Sequence, residues 1–219
     1  MIRRIRGQGG NLMRLSMRLA FLLAALLAVQ VSAQTSSVRV GAPAPDFTVT
    51  DDHGVKRSLS DFRGKFVVLE WHEKGCPYVT KHYRTGHMQR LQSKWMDRGV
   101  AWLLLTSSAE GFHSYLTPEE SRAYLSELKA TPTAMLLDTP GIVSRLYGVT
   151  TALHMVIVDP SGTVVYNGGI DDKATTQVSD LSVAKNYVEQ ALTEALAART
   201  VSTPTSEPYG CPIHYASGK

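Results

Sequence analysis

Cysteine is scarce in this chain: Cys76 and Cys211 are the two among 219 residues. No second cysteine stands three positions after Cys76, where the sequence has Val79, so a dithiol couple inside one short motif is excluded. Long hydrophobic runs are lacking too. The apolar run Leu19 to Val29 covers about 11 residues, short of the roughly 20 that a membrane-spanning helix needs. Acidic residues are absent from the first 33 positions, which hold five of the 23 basic residues. The rest of the chain therefore carries 18 basic against 19 acidic residues, a net of −1. With no basic surplus and no basic-aromatic stripe, nothing supports binding to nucleic acid. An Asn-X-Ser/Thr glycosylation acceptor, internal repeats and low-complexity tracts are also missing.

What is present at the start is an ordered set of signals. Arginines at 3, 4, 6, 14 and 18 precede the apolar run, and Val31-Ser32-Ala33 ends it with small residues. This is the layout of a secretory signal peptide over residues 1–33, cut after Ala33. A buried or anchoring amphipathic helix is the other reading. No cysteine near the cut offers a lipid attachment point, so a stable membrane anchor is not expected. The remaining residues, about 186, suffice for one domain with a real core. The expected location is the periplasm or another exported compartment, where two cysteines mean a bridge, a redox couple or separate thiols.

From residue 46 onward strands and helices alternate. Phe47-Thr48-Val49 and Ser58-Leu59 flank a turn at Asp51 to Gly54 and predict a small hairpin. Phe66 to Leu69 reads as a buried central strand. A helix is expected from Cys76 to about Gly99, with Pro77 in its first turn and Val79, Tyr83, Met88, Leu91 and Trp95 as its inward stripe. Val100 to Leu105 is the next strand, and Thr106 to Leu116 a long loop bordering the active site. Thr117-Pro118-Glu119-Glu120 opens a helix that runs to about Lys129. A strand at Ala134 to Leu137, a short helix at Ile142 to Tyr147 and paired strands at Met155 to Val158 and Thr163 to Tyr166 follow. A last helix is expected over Asp180 to Ala198. The expected organisation is a folded domain over 34–199 and a polar tail over 200–219 that carries Cys211. Such an order is buried most simply as an α/β fold, a mixed sheet with helices on both faces.

Cys76 lies between a buried strand and a helix start. Free amides of the first turn and the positive helix end favour a thiolate there. His72, Lys74 and Lys81 add positive charge, while Glu70 and Glu73 oppose it or carry protons. The bland alternative is an inert small hydrophobe.

These residues resemble the thioredoxin-like redoxins that include alkyl hydroperoxide reductase and thiol-specific antioxidant proteins. Gly41 to Phe47 with Leu59 to Lys65 is similar to that family's opening. Val68-Leu69-Glu70-Trp71 leading to Cys76-Pro77-Tyr78-Val79, Lys81-His82-Tyr83, and Pro208-Tyr209-Gly210-Cys211 resemble an exported bacterial subgroup. The resemblance implies a thioredoxin-like three-layer sandwich with an N-terminal hairpin extension. It implies that Cys76 attacks a peroxide or a disulfide; an exported thiol reductant is the expected partner that resets it, and neither a cofactor nor a metal is expected in that chemistry. Three positions depart from better-known members. Val79 replaces a second cysteine, and Glu73 replaces the threonine or serine that would bond the peroxide. Leu153 replaces a cis-proline, and a trans bond is expected there because cis non-proline bonds cost about 2.5–4 kcal/mol. His154 is a candidate base or charge partner, with a satisfied structural histidine as the equal alternative.

Cys211 supplies the missing partner if the tail folds back: Cys76 becomes sulfenic acid or a mixed disulfide, and Cys211 resolves it. A permanent staple is nearly as well supported, worth about 5 kcal/mol on the chain-entropy relation. Two further functions stay open. Cys76, Cys211, His72 or His154 would form a copper or zinc site if separate elements brought them together. On a continuous helix His82 lies about 240° from Cys76, and His87 shares its face but sits roughly 16 Å along it. The other is a non-catalytic binding module with a structural disulfide. Short edge-like strands allow a homodimer without specifying one.

Overall fold

The structure is a computed structural model and describes residues 38–216. The signal-peptide reading of 1–33 falls outside those residues. Five strands form one mixed sheet: β3 (Val67–Trp71), β4 (Ala101–Thr106), β5 (Ala134–Leu137), β6 (His154–Val158) and β7 (Val164–Gly169), in the order β5-β4-β3-β6-β7. The hairpin β1 (Thr48–Thr50) and β2 (Lys56–Ser58) precedes them. Strands β3, β4 and β5 run parallel, while β6 and β7 are antiparallel to their neighbours. Every residue of β3, β4 and β6 is buried, as their near-continuous apolar sequences require.

Alternation along β3 sorts the core into two layers. Val67, Leu69 and Trp71 face Phe47, Val143 and Tyr147, which come from the hairpin and from α4 (Ile142–Tyr147). Val68 faces the other layer, made by α1 (Pro77–Arg84), α2 (His87–Met96) and α5 (Tyr187–Leu196). The helix α3 (Pro118–Leu128) covers Leu104 and Met135 through Tyr124 and Leu125. Its Thr117 cap is reciprocal: Thr117 Oγ1 accepts from the Glu120 amide and Glu120 accepts from the Thr117 amide. Hairpin, helices and mixed sheet together give the expected three layers.

Two helices differ from the sequence expectation. The stretch from Cys76 to Gly99 is broken at Thr85 and Gly86, where Gly86 takes φ 70° and starts α2. Each half satisfies the apolar stripe, so periodicity alone conceals the break. Across the break the His82 and His87 rings meet, with their Nδ1 atoms 3.0 Å apart. The last helix starts at Tyr187, capped by Asn186, and the segment Val178–Ser182 forms a separate 3-10 turn.

Candidate active site

Gly75 at φ 83° turns the chain out of the loop after β3 and delivers Cys76 as the N-cap of α1. The Cys76 carbonyl takes the first intrahelical bond from the Thr80 amide at 2.8 Å, and Pro77 fills the first helical position. Cys76 is 2% exposed and bonded to Cys211 in a disulfide, with the two Cα atoms 5.7 Å apart. The Cys211 amide also donates to Cys76 Sγ at 3.3 Å. Helix start and tail amide therefore both point positive partial charge at this sulfur.

The tail reaches Cys76 along a defined path. Val201 is buried, the Asn167 amide donates to Pro204 O, and the Gly169 amide donates to Ser206 Oγ. At Gly168 a Cβ would sit 2.5 Å from Ser206 Oγ, so the pair Gly168-Gly169 is what lets the tail cross β7. Beyond Tyr209 the tail pairs with the segment before β6: Ala152 N–H donates to Cys211 O and Ile213 N–H to Thr150 O, both at 2.9 Å. Gly210 lies so close that a Cβ would be 2.4 Å from Ala152 O. Farther on, Ala109 N–H donates to His214 O and the Phe112 ring stacks on His214. The loop after β4 thus does border the disulfide, and the His113 ring lies beside Gly75.

Buried polar groups surround the couple. Glu73 is 2% exposed; its Oε2 accepts from Ser108 Oγ, which in turn accepts from Ser114, while Oε1 has no partner among the described residues. Its carbonyl accepts from the Cys76 amide at 3.2 Å. Glu70, fully buried in β3, accepts from Tyr83 Oη, Trp102 Nε1 and Gln92 Nε2. Three donors are the compensation a desolvated carboxylate requires. Burial and the Glu70 charge raise the Tyr83 hydroxyl well above its usual range. His72 Nε2 pairs with Tyr124 Oη at 3.0 Å, and burial pushes that phenol up to about 12.

On the tail's other side, Tyr209 Oη donates to Asp171 Oδ1 at 2.5 Å, and Asp171 Oδ2 stands 3.7 Å from His82 Nε2. Burial, helped by the nearby His87 and Lys81, lowers the His82 pKa to about 3. Lys81, also lowered by burial, donates to Lys173 O and lies over the Tyr209 ring.

The structure therefore brings Cys76, Cys211 and the Glu73 loop together and leaves His154 apart. His154 shares its strand face with Val156, its ring lies 6.0 Å from that of Trp71, and its Nε2 pairs with Asn167 Oδ1 at 2.6 Å. Cys76 packs in the layer on the opposite face. Leu153 is left-handed at φ 56°, its amide held by Trp71 O, and no peptide bond among the described residues is cis. Among the described residues no group of three His, Cys, Asp or Glu is arranged for a metal ion. Sequence reasoning missed the Ser108 and Asp171 partners, which come from distant segments. A glutamate inside an apolar strand was a readable sign of the Glu70 network.

Comparison with known proteins agrees with this architecture. A thiol-disulfide oxidoreductase ResA of Bacillus thuringiensis is 27% identical over 129 residues, covering 58% of this chain and 68% of its own length. A crystal structure of an uncharacterized conserved protein from Geobacillus kaustophilus superposes with a TM-score of 0.71 at 22% identity, covering 83% of this chain and 94% of that one. One from Chlorobium tepidum, provisionally assigned as a thiol:disulfide interchange protein DsbE, gives 0.54 at 21% identity over 73% and 99%. These similarities show the thioredoxin-like fold. The family model for AhpC/TSA matches residues 40–167, more than half of the sequence, and the chain belongs to the AhpC/TSA family.

Proposed function

We propose that this chain is an exported thiol-disulfide oxidoreductase whose working couple is Cys76 and Cys211. The observation that carries this reading is the disulfide that the tail makes to the cysteine capping α1. In the reduced protein the Cys76 thiolate attacks one sulfur of a substrate disulfide, forming a mixed disulfide and expelling a thiolate. Cys211 loses its proton and attacks Cys76 Sγ, releasing the second substrate thiolate and leaving the 76–211 bond. The substrate is reduced by two electrons and the protein oxidised by two; an exported dithiol reductant restores the pair. Glu73, buried beside the loop with a free Oε1, is the proton acceptor in this scheme. His154, paired with Asn167, is a positioning residue for β6 and β7. Domain 34–199 supplies the attacking cysteine, tail 200–219 the resolving one, and residues 1–33 the export signal.

The test is peptide mass mapping of reduced protein treated with hydroxyethyl disulfide. Cys211→Ser should trap a mixed disulfide at Cys76, and wild type should convert it to the 76–211 bond. A trapped adduct at Cys211 in Cys76→Ser, with none at Cys76 in Cys211→Ser, overturns the assignment. Replacing the disulfide by peroxide distinguishes the substrate: sulfenic acid at Cys76 in Cys211→Ser assigns peroxide reduction to the same couple.

A further inference from the structure

Beside the Cys76 turn runs an open groove of about 780 Å³ between α1 and α3. Lys74 and Gly75 form its end next to Cys76, and Val79, Tyr124 and Leu128 contribute apolar surface. Its size falls within the range of ordinary ligand sites.

Its charge sets it apart from the rest of the domain. Lys74, Arg84, Arg90 and Lys129 line it against a single acid, Glu127, whereas the chain beyond residue 33 is net −1. Arg84, Arg90 and Lys129 are exposed, and none forms an ion pair within 4 Å among the described residues. A groove with one sign of charge over apolar walls concentrates ligands of the opposite sign.

We infer that this groove is the specificity site for the substrate: it binds the acidic peptide segment flanking a substrate cysteine, laying carboxylates against Arg84, Arg90 and Lys129. The inference rests on the disulfide-exchange reading and names the substrate class for that couple. Lys74, two residues before Cys76, joins the groove to the reacting sulfur.

The experiment measures exchange of reduced protein with disulfides of short cysteine peptides flanked by glutamate, glutamine or lysine. Hydroxyethyl disulfide serves as the uncharged reference. At low salt kcat/KM should fall in the order glutamate, glutamine, lysine, with the extremes differing about fivefold or more. The spread should shrink as salt shortens the screening length toward about 3 Å. In Arg84→Glu/Arg90→Glu the ratio of glutamate to glutamine peptide should drop below one, through KM rather than kcat. Equal rates for the three wild-type peptides, or an acidic preference that survives the double substitution, overturns the groove. Absence of exchange with hydroxyethyl disulfide itself instead sinks the redox reading beneath it.

Discussion

Reduction of the Cys76–Cys211 bond should loosen the tail locally and weaken the whole domain, by two separate mechanisms. The bond closes a loop with a sequence separation of 135. On the chain-entropy relation that constrains the unfolded chain by about 5 kcal/mol, and measured disulfides more often give about 2–4. Locally, Tyr209 is fixed by its bond to Asp171, and the five residues from Gly210 to His214 are held by backbone bonds at Ala109, Ala152 and Ile213 and by the buried Ile213 side chain. Three net hydrogen bonds give about 3 kcal/mol and the isoleucine roughly 2. Fixing five backbones costs about 5 kcal/mol or more. The balance lies close to zero, so without the covalent bond this segment opens, whereas residues 201–206 stay anchored on β7. Hydrogen exchange on oxidised wild type, reduced wild type and Cys76→Ser/Cys211→Ser reads the first mechanism: protection at Ala109, Ala152 and Ile213 should vanish in the last two. Denaturant unfolding reads the second, with a loss of about 2–5 kcal/mol, or roughly 5–15 °C in Tm for a domain of this size. Unchanged protection at those three amides would refute the tail argument. A loss below about 1 kcal/mol would refute the loop argument.

Gly210→Ala places a methyl 2.4 Å from Ala152 O and displaces the tail. Closure of the 76–211 bond after oxidation should slow by about tenfold or more, because the sulfurs no longer meet within disulfide reach; stopped-flow thiol trapping checks this. Glu70→Leu leaves Tyr83 Oη and Trp102 Nε1 without their shared acceptor, and it should cost about 2–5 kcal/mol in urea unfolding. An effect under 1 kcal/mol would mean that the network is not a structural requirement. His82, neutral when folded with its pKa lowered to about 3, binds its proton more readily when unfolded. Between about pH 6.5 and 3 the unfolded state therefore holds more protons, and stability falls as pH falls, by up to about 1.4 kcal/mol per pH unit. His87 and His154, also lowered by burial, add in the same direction. His82→Phe should flatten this slope in denaturation measured across the window, and an unaltered slope would exclude His82 as its source.

Much of this architecture was written locally. Continuous apolar runs at Val67 to Trp71 and Ala101 to Thr106 specify buried strands, and the Thr117 capping box specifies the start of α3. Cys76 before Pro77 fixes a cysteine at a helix start, because that position needs neither an amide donor from Pro77 nor any distant contact. The break at Gly86 was hidden, since both halves keep the apolar spacing and glycine is tolerated within a helix pattern at about 1 kcal/mol. Residues whose partners lie far along the chain were hidden for a different reason. Glu73 with Ser108, Tyr209 with Asp171, and His154 with Asn167 are pairings that only the packed sheet and tail create. The sequence by itself determined a sandwich with one cysteine poised at a helix N-terminus and another in a polar tail. The tertiary structure decided that the two cysteines join, because Gly168, Gly169 and Gly210 let the tail backbone approach β7 and Ala152 more closely than any side chain permits. It also separated His154 from the cysteines, because strand alternation sends that ring to the opposite face of the sheet.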